Sequence, residues 1–254
     1  MARSDLLFDT PLLVHQSDLR PESYRLGDGA EVALRPLRKH EDGSLRSGLI
    51  DLPAGWACGA HRLSSCLQFL LRSGRIRIGD QVIGENAFVV VPRGGVLPAL
   101  AAEEGSQILL ISDANQAWVA TDGGNDAKVV PDVFGIEPIV PVIHGRPLVG
   151  FERRVLWLDP DTGADTRLLR IPADFSGPGA SWHPVNEEIF CLEGEIAPAR
   201  DRLMTPGSFL WNPARCVHGY YEYTEKGCVL LEWHDGPWDI IRYDAAAEAA
   251  AEGN

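Results

Sequence analysis

The chain has 254 residues, with 36 acidic and 23 basic side chains, and its formal net charge at pH 7 is −13. A surface of this sign repels phosphate backbones and anionic lipid headgroups, so we expect neither nucleic acid nor membrane as a partner. No stretch reaches the ~18 uninterrupted apolar residues of a membrane span. Because Asp5 and Asp9 interrupt the first residues, they do not resemble a signal peptide, and we expect a cytoplasmic protein.

The five cysteines indicate a reducing compartment, because their number is odd and no two of them have the C-x-x-C spacing of a zinc knuckle. They are Cys58, Cys66, Cys191, Cys216 and Cys228. Glycine-rich phosphate-binding loops and the G-x-S-x-G elbow are also missing from the sequence, so we expect no nucleotide cofactor.

Short strands dominate the predicted elements, because Gly (26 residues) and Pro (18 residues) interrupt the apolar runs frequently. In chain order the predicted strands are Glu31–Arg35, Arg46–Leu52, Leu67–Leu71, Ala87–Val91, Gln107–Ile111, Arg154–Leu158, Thr166–Ile171, Glu188–Leu192, Ser208–Trp211 and Cys228–Trp233. This spacing is typical of a β-sandwich or β-barrel. Two segments instead predict helix, weakly over residues 1–15 and as a frayed tail over Asp244–Glu252.

The sequence also repeats itself at an offset of about 120 residues. The segment Phe88–Pro92 resembles Phe209–Pro213, and the segment Glu104–Leu110 resembles Glu225–Leu231, in the same order along the chain. We therefore predict two copies of one β-rich domain. Residues 1–122 form the first copy, and residues 123–254 contain the linker and the second copy.

Metal-ligand chemistry is concentrated in the second copy. His183 precedes a short turn that ends at Glu187, and His218 follows about 30 residues later, after a Gly and a Pro. Two imidazoles and one carboxylate that converge in a barrel form an open three-ligand site, which is typical of non-haem iron and also suits zinc or manganese. The alternative is that both histidines are hydrogen-bonded core residues without a metal.

These residues resemble the two motifs of the cupin superfamily. The first reads Ser181-x-His183-(x)3-Glu187-(x)6-Gly194, and Ser181 stands where the family has its first His. The second reads Gly207-(x)5-Pro213-x-Arg215-(x)2-His218, and Arg215 replaces a Gly while Glu222 replaces the final Asn. The wording H-P-V-x-E-E-I-F-x-L-E-G is similar to poorly characterised tandem cupins, and more distantly to anti-sigma-factor cupins and acetylacetone-cleaving dioxygenases.

This resemblance implies an all-β fold, with two double-stranded β-helix (jelly-roll) barrels in tandem, and a homodimer. It implies His183, Glu187 and His218 as ligands of a divalent metal, with Fe(II) favoured and Zn, Mn or Ni as alternatives. Glu188 is the reserve for Glu187, and His234 is the reserve for the missing first His.

Three further residues are predicted to lie around the metal. If the strand through His218 is regular, Cys216 and Tyr220 point to the same side as that imidazole, because residues two apart share a face. Trp211 is expected in an apolar wall of the pocket. A buried inert thiol is the alternative for Cys216, and core packing is the alternative for the aromatic residues.

The first copy is predicted to lack a metal site and to be structural. The repeat sets Leu63 against His183, Leu67 against Glu187, and either Leu97 or Pro98 against His218. His61, which corresponds to Ser181, is the His that remains at these positions, and one His cannot hold a catalytic metal.

The expected function is therefore that of a metal-dependent enzyme acting on a small oxygen-rich molecule such as a diketone, enol or carboxylate. A dioxygenase-type oxidoreductase is favoured, with an isomerase or lyase as runner-up. The alternative from another class is a cupin module that binds a metal or ligand and signals through a partner without catalysis.

Overall fold

The computed structural model of the protein describes residues 6–8 and 11–244 and consists mainly of antiparallel strands. Within these residues there is no α-helix, and the two helical turns, Gln16–Asp18 and Val133–Gly135, are short 3-10 segments. The predicted all-β class is confirmed. Among the same residues no helix has the length and apolarity to cross a membrane.

The chain divides into two units. Residues 17–136 form the N-terminal unit, and residues 1–16 together with 137–254 form the C-terminal unit. This division differs from the expected boundary after residue 122. The segment that we expected to be a linker contains Lys128–Val130, which pairs with Phe88–Val91 and so belongs to the N-terminal unit.

Strand β1 (Leu12–His15) is the first strand of the C-terminal unit. The N-terminal unit contains β2 (Glu22–Arg25), β3 (Glu31–Lys39), β4 (Leu45–Leu52), β5 (Ala57–Cys58), β6 (His61–Leu63), β7 (Leu67–Ser73), β8 (Ile76–Ile78), β9 (Gln81–Ile83), β10 (Phe88–Val91), β11 (Val96–Leu97), β12 (Leu100–Ala102), β13 (Ser106–Ser112), β14 (Trp118–Ala120) and β15 (Lys128–Val130). The C-terminal unit continues with β16 (Val142–Ile143), β17 (Arg146–Pro147), β18 (Glu152–Leu158), β19 (Asp165–Ile171), β20 (Phe175–Ser176), β21 (Ser181–Trp182), β22 (Glu187–Gly194), β23 (Ile196–Ala199), β24 (Arg202–Met204), β25 (Ser208–Asn212), β26 (Tyr223–Thr224), β27 (Cys228–His234) and β28 (Ile241–Arg242).

The predicted repeat is visible in the main sheet of each unit. The N-terminal sheet has the order β15-β10-β7-β13-β4-β3-β2, and the C-terminal sheet has the order β1-β25-β22-β27-β19-β18. Strands separated by about 120 residues take the same place in both sheets. Shorter sheets, β5-β12-β8-β9 in one unit and β20-β26-β23-β24 in the other, complete the two barrels.

The interior of the N-terminal unit is apolar at the positions that correspond to the predicted metal ligands. Leu63, Leu67 and Leu97 are at most 2% exposed and belong to one large cluster of buried aliphatic and aromatic side chains. Leu97 pairs with His61 as His218 pairs with Ser181, so the register favours Leu97 over Pro98 as the counterpart of His218.

The beginning of the chain forms a strand where we had weakly predicted a helix. β1 pairs with β25 in antiparallel register over all four of its residues, which is the pairing of a strand and not of a helix. Leu13 packs against the core of the C-terminal unit, whereas Leu12 is 40% exposed. The predicted tail helix lies outside the described residues except for Asp244.

The different environments of Leu12 and Leu13 predict different effects for two neighbouring substitutions in β1. Leu13→Ala should lower the free energy of unfolding of the C-terminal unit by about 1–3 kcal/mol, because it removes packed methyl groups. Leu12→Ala, the matched control, should change it by less than about 0.5 kcal/mol. Urea unfolding, with hydrogen exchange followed over Ser208–Asn212, measures both. Equal effects of the two substitutions would contradict this placement of β1.

Candidate metal centre

Three side chains of the C-terminal unit bring one ligand atom each to a common point. His183 Nε2 lies 3.1 Å from His218 Nε2 and 3.5 Å from Glu187 Oε2. The third edge, between His218 Nε2 and Glu187 Oε2, measures 3.7 Å. Ligands bonded to one divalent ion at about 2.0–2.2 Å lie about 3–3.7 Å apart, so the three edges have the size of a metal coordination face.

Backbone pairing holds the two motif segments together. Ser181 and His218 form a pair of backbone hydrogen bonds, each 2.9 Å long, and the Arg215 amide donates to the His183 carbonyl at 2.7 Å. Arg215 adopts a left-handed φ of +67° at the position where the cupin motif has Gly. The turn that the motif glycine would form is therefore present here despite the bulkier residue.

A hydrogen bond from Nδ1 to a backbone carbonyl fixes the orientation of each imidazole of the triad. His183 Nδ1 lies 2.7 Å from the Asp239 carbonyl, and His218 Nδ1 lies 2.9 Å from the Cys216 carbonyl. A carbonyl only accepts, so each Nδ1 carries the proton and each neutral ring presents a lone pair at Nε2. Two lone pairs that face each other at 3.1 Å require a positive charge between them, either a proton or a cation. The donor set therefore fits a metal ion.

The carboxylate of Glu187 is held on both of its oxygens. Asn212 donates to Oε2 at 2.7 Å, and Trp238 Nε1 donates to Oε1 at 3.0 Å. His234 Nε2 approaches Oε1 at 3.4 Å, while its Nδ1 lies 2.7 Å from Asp165 Oδ1. Such outer contacts orient a metal-binding carboxylate and maintain its charge.

Sheet register explains this set of contacts. Glu187 at the start of β22 is directly opposite Asn212 in β25 on one side and His234 in β27 on the other, and His234 is opposite Asp165 in β19. Residues directly opposite in an antiparallel sheet share a face, so one polar row crosses four strands. The counterpart of Glu187 in the N-terminal unit, Leu67, is flanked by Val91 and Ser112.

A stack of rings covers one side of the triad. Trp238 packs on His183 with a centroid distance of 4.8 Å and an interplanar angle of 30°. The Arg167 guanidinium lies 4.3 Å from the Trp238 centroid, and its Nε donates to Glu232 at 3.0 Å. The ring of His183 is therefore held in place by an indole that itself packs on a buried ion pair.

Electrostatics distributes one proton among the three groups when no cation is bound. Burial by itself lowers the pKa of His183, but the charge and hydrogen bond of Glu187 outweigh it and raise that pKa above the usual 6.5. Burial also lowers the pKa of His218, where the effect of Glu187 does not compensate for it. Burial opposes the ionisation of Glu187, yet the neighbouring histidines hold its pKa well below the usual range. The triad thus stabilises added positive charge.

The two reserve ligands do not join this group. Glu188 is fully buried on the opposite face of β22, where it pairs with Trp211 and Trp233, so the geometry favours Glu187. His234 lies behind Glu187 and contacts its other oxygen, which places it as a support of the carboxylate instead of a substitute for the missing first His.

Two of the three predicted neighbours take other places. Tyr220 is 52% exposed, because the backbone turns at Gly219 (φ +79°) and the regular strand that we expected after His218 does not form. Trp211 faces away from the triad and donates to Asn186 at 3.3 Å. Cys216 contacts His218 through its carbonyl oxygen, and its buried Sγ lies 3.9 Å from the Val217 carbonyl.

Three supporting residues were not identified from the sequence. Asn212 precedes Pro213 of the second motif, and strand alternation from a paired register would have placed it beside Glu187. Asp165 required the pairing of β19 with β27, which the sequence does not specify. Trp238 follows the last predicted strand in a Gly-Pro-Trp segment, and no local pattern directs its ring towards His183.

Comparison with known proteins gives the same fold. Residues 140–235 match the family described as ChrR Cupin-like domain. A Nostoc punctiforme protein provisionally described as a dioxygenase is similar with a TM-score of 0.80 and 17% identity, over 92% of this chain and 87% of that one. A structure of Bacillus subtilis oxalate decarboxylase, studied for its Mn(II) centres, is similar with a TM-score of 0.58 and 14% identity, over 92% of this chain and 80% of that one.

No curated protein sequence matches this chain. At the identities of the two solved structures the likeness concerns the fold. Together with the domain match, it confirms the resemblance to tandem cupins that the motifs indicated.

The triad predicts that metal content depends on both histidines. His183→Ala or His218→Ala should each lower the bound Fe(II) by about one equivalent per chain, because two remaining ligands cannot form a closed coordination face. The matched control is His144→Ala, which removes an exposed imidazole of the same unit. Elemental analysis of the purified variants measures the effect. Wild-type protein that holds no metal after loading would contradict the assignment.

Metal affinity should also weaken as the pH falls. The pKa of His183 lies above 6.5, so its proton competes with the cation already near neutral pH. Below that pKa, one competing proton lowers the apparent affinity about tenfold per pH unit. Titration of metal-free protein between about pH 8 and about pH 5 measures the slope, with circular dichroism to verify that the protein stays folded. An affinity that is independent of pH over this range would contradict the shared-proton account.

Proposed function

We propose that this tandem cupin is a metal-dependent enzyme that acts on a small, oxygen-rich anionic molecule at the triad of the C-terminal unit. The observation that carries the proposal is the convergence of two fixed imidazole lone pairs and one fixed carboxylate oxygen. Solvent reaches this group, because the His218 side chain is 16% exposed while the His183 side chain is 4% exposed. A substrate can therefore approach from the side of His218.

His183, His218 and Glu187 would hold the cation. A divalent ion supplies Lewis-acid polarisation of substrate oxygens and, in the case of Fe(II), reaction with O₂. We favour Fe(II), because a two-histidine, one-carboxylate set is the usual ligand set of non-haem iron enzymes. Three protein ligands leave positions open for a substrate with two adjacent oxygens.

The charge of the site favours an anionic substrate. A divalent cation with Glu187 leaves one net positive charge. Arg153, whose guanidinium lies 5.8 Å from the centroid of Trp238, adds no further net charge, because Asp165 and Glu232 balance its charge and that of Arg167. Its buried Nε has no hydrogen-bond partner among the described residues. Burial and the charge of Arg167 lower the pKa of Arg153, but an arginine side chain remains charged in proteins.

Glu222 is our candidate for proton transfer to or from the substrate. Burial, together with the charges of Glu187 and Glu232, raises its pKa to about 7. A group with such a pKa exchanges protons readily at neutral pH. A cation at the triad would favour the ionised carboxylate, so we expect Glu222 to act as a base in the loaded protein.

The favoured reaction is oxidative cleavage of a diketone or enol, with isomerase or lyase chemistry at the same centre as runner-up. The second candidate function is a metal-binding module without catalysis. It is favoured by the match of residues 140–235, whose description names a domain type and no reaction. Homodimer formation and a cytoplasmic location remain predictions from the sequence.

Oxygen consumption tests the favoured function. Metal-free protein is loaded anaerobically with Fe(II), Mn(II) or Zn(II) and mixed with diketones, enols, oxalate and other dicarboxylates. We expect O₂ uptake and product formation with Fe(II) and at least one diketone or enol. Glu187→Gln should abolish both, and His144→Ala should leave both unchanged. Glu222→Gln should keep the metal but remove the acidic limb of the pH–rate profile.

The other outcomes separate the alternatives. Product formation without O₂ uptake, supported also by Mn(II) or Zn(II), would replace the dioxygenase by an isomerase or lyase. Stoichiometric metal binding without turnover of any compound in the panel would favour the non-catalytic module. Absence of metal binding would contradict both functions.

A further inference from the structure

The N-terminal unit contains a second group of potential ligands, away from the positions that the cupin motif uses. Asp28, Cys58 and His61 bring one oxygen, one sulfur and one nitrogen to within 4.8 Å of one another. Cys58 and His61 are 7% and 2% exposed, whereas the Asp28 side chain is 59% exposed. An ion could therefore enter from solvent past Asp28 and reach the two buried ligands.

His61 is oriented in the same way as the histidines of the C-terminal triad. Its Nδ1 lies 2.9 Å from the Gly59 carbonyl, which only accepts, so the neutral ring presents its lone pair at Nε2. Nε2 faces Asp28 Oδ1 at 3.7 Å. This is too long for a hydrogen bond but suits two ligands of one ion, which lie about 3–3.7 Å apart. The two acceptors thus face each other across a space where a cation would bind.

The surrounding backbone fixes this arrangement. The Gly59 amide donates to Asp28 Oδ1 at 2.8 Å and so holds the carboxylate over the site. Gly27 has a φ of +61°, and a Cβ at this position would lie 3.0 Å from the His61 ring, so glycine lets the turn before β3 close on the imidazole. Trp118 packs edge-on against the same ring at 5.6 Å. The position of His61 is therefore determined on several sides.

We propose that Asp28, Cys58 and His61 bind one zinc ion in the N-terminal unit. A thiolate, an imidazole and a carboxylate form a ligand set that zinc accepts in tetrahedral geometry, with water as the fourth ligand. Binding converts the Cys58 thiol into a zinc-bound thiolate and releases its proton to solvent. Thiolate, carboxylate and Zn²⁺ together carry no net charge, which suits a site whose inner side is the apolar core around Cys58.

This inference changes our expectation that the first copy holds no metal. The cupin motif would place its ligands at Leu63, Leu67 and Leu97 in this unit, and these three residues are apolar. Asp28 and Cys58 lie 33 and 3 residues before His61, respectively, and match no ligand spacing of the family. The ion would link the β2–β3 turn to the segment between β5 and β6, so its role is structural.

Cobalt binding tests the proposal, because Co²⁺ bound to a thiolate shows a charge-transfer band in the near ultraviolet. The C-terminal triad contains no sulfur and cannot give this band. We expect metal-free full-length protein to develop the band within two equivalents of Co²⁺, since the C-terminal triad competes for the ion, and to lose it when excess Zn²⁺ is added. Cys58→Ser should abolish the band, and Asp28→Asn should weaken Co²⁺ binding by about tenfold or more.

Two controls make the result specific. Cys66→Ser removes another buried thiol of the same unit and should keep the band. His183→Ala disables the C-terminal triad and should also keep it, so failure here is distinguishable from failure of the proposed enzyme. If Cys58→Ser does not fold, Asp28→Asn still tests the proposal, because the Asp28 side chain is exposed and does not belong to the core. Absence of a thiolate band in wild-type protein, or its survival in Asp28→Asn and Cys58→Ser at unchanged affinity, would overturn the proposal.

Discussion

In the C-terminal unit, three side chains converge on one buried point and require a positive charge between them. Hydrogen bonds from Nδ1 to backbone carbonyls turn the lone pairs of His183 and His218 towards each other, and the ionised carboxylate of Glu187 completes the group. Without a proton or a cation, these three groups would repel one another in a poorly solvated place. At low pH a proton supplies this positive charge. A divalent ion, when one is present, would supply it at the centre of all three ligand atoms.

The barrel makes this group possible because its sheets impose a register that no single segment could. Asn212, Glu187, His234 and Asp165 come from four different strands, yet pairing puts them in one row on one face. The orientation of the Glu187 carboxylate therefore depends on the folding of the whole sheet, including β1 at its edge. Substitution far from the triad can disturb the site through this row.

The two units show how one architecture supports different interiors. The same strand order encloses an apolar core in both units, and in the C-terminal unit it also holds a row of buried polar and charged side chains. Leu67 and Glu187 illustrate the difference, because they begin equivalent strands and are both buried. Any ion that the N-terminal unit binds would therefore lie at a different set of ligands.

Sequence reasoning predicted the parts of this protein that depend on local spacing. The strands and the turn from His183 to Glu187 follow from patterns within a few residues, the repeat follows from short segments that recur at a constant offset, and His218 follows from a motif with fixed spacing. Contacts that depend on non-local pairing were missed, as with Asp165 and Trp238. The edge strand β1 was misassigned, since its partner β25 lies about 200 residues away. Tyr220 was misplaced because an irregular backbone with positive φ at Arg215 and Gly219 replaces the expected strand.

The most direct measurement of the central claim is anomalous diffraction from crystals of the full chain grown with Fe(II) under anaerobic conditions. We predict one strong peak at the iron edge in the C-terminal unit, at about 2.0–2.2 Å from His183 Nε2, His218 Nε2 and one oxygen of Glu187. No peak at this point in a well-ordered crystal, with the two imidazoles instead sharing a proton or turned apart, would contradict the account.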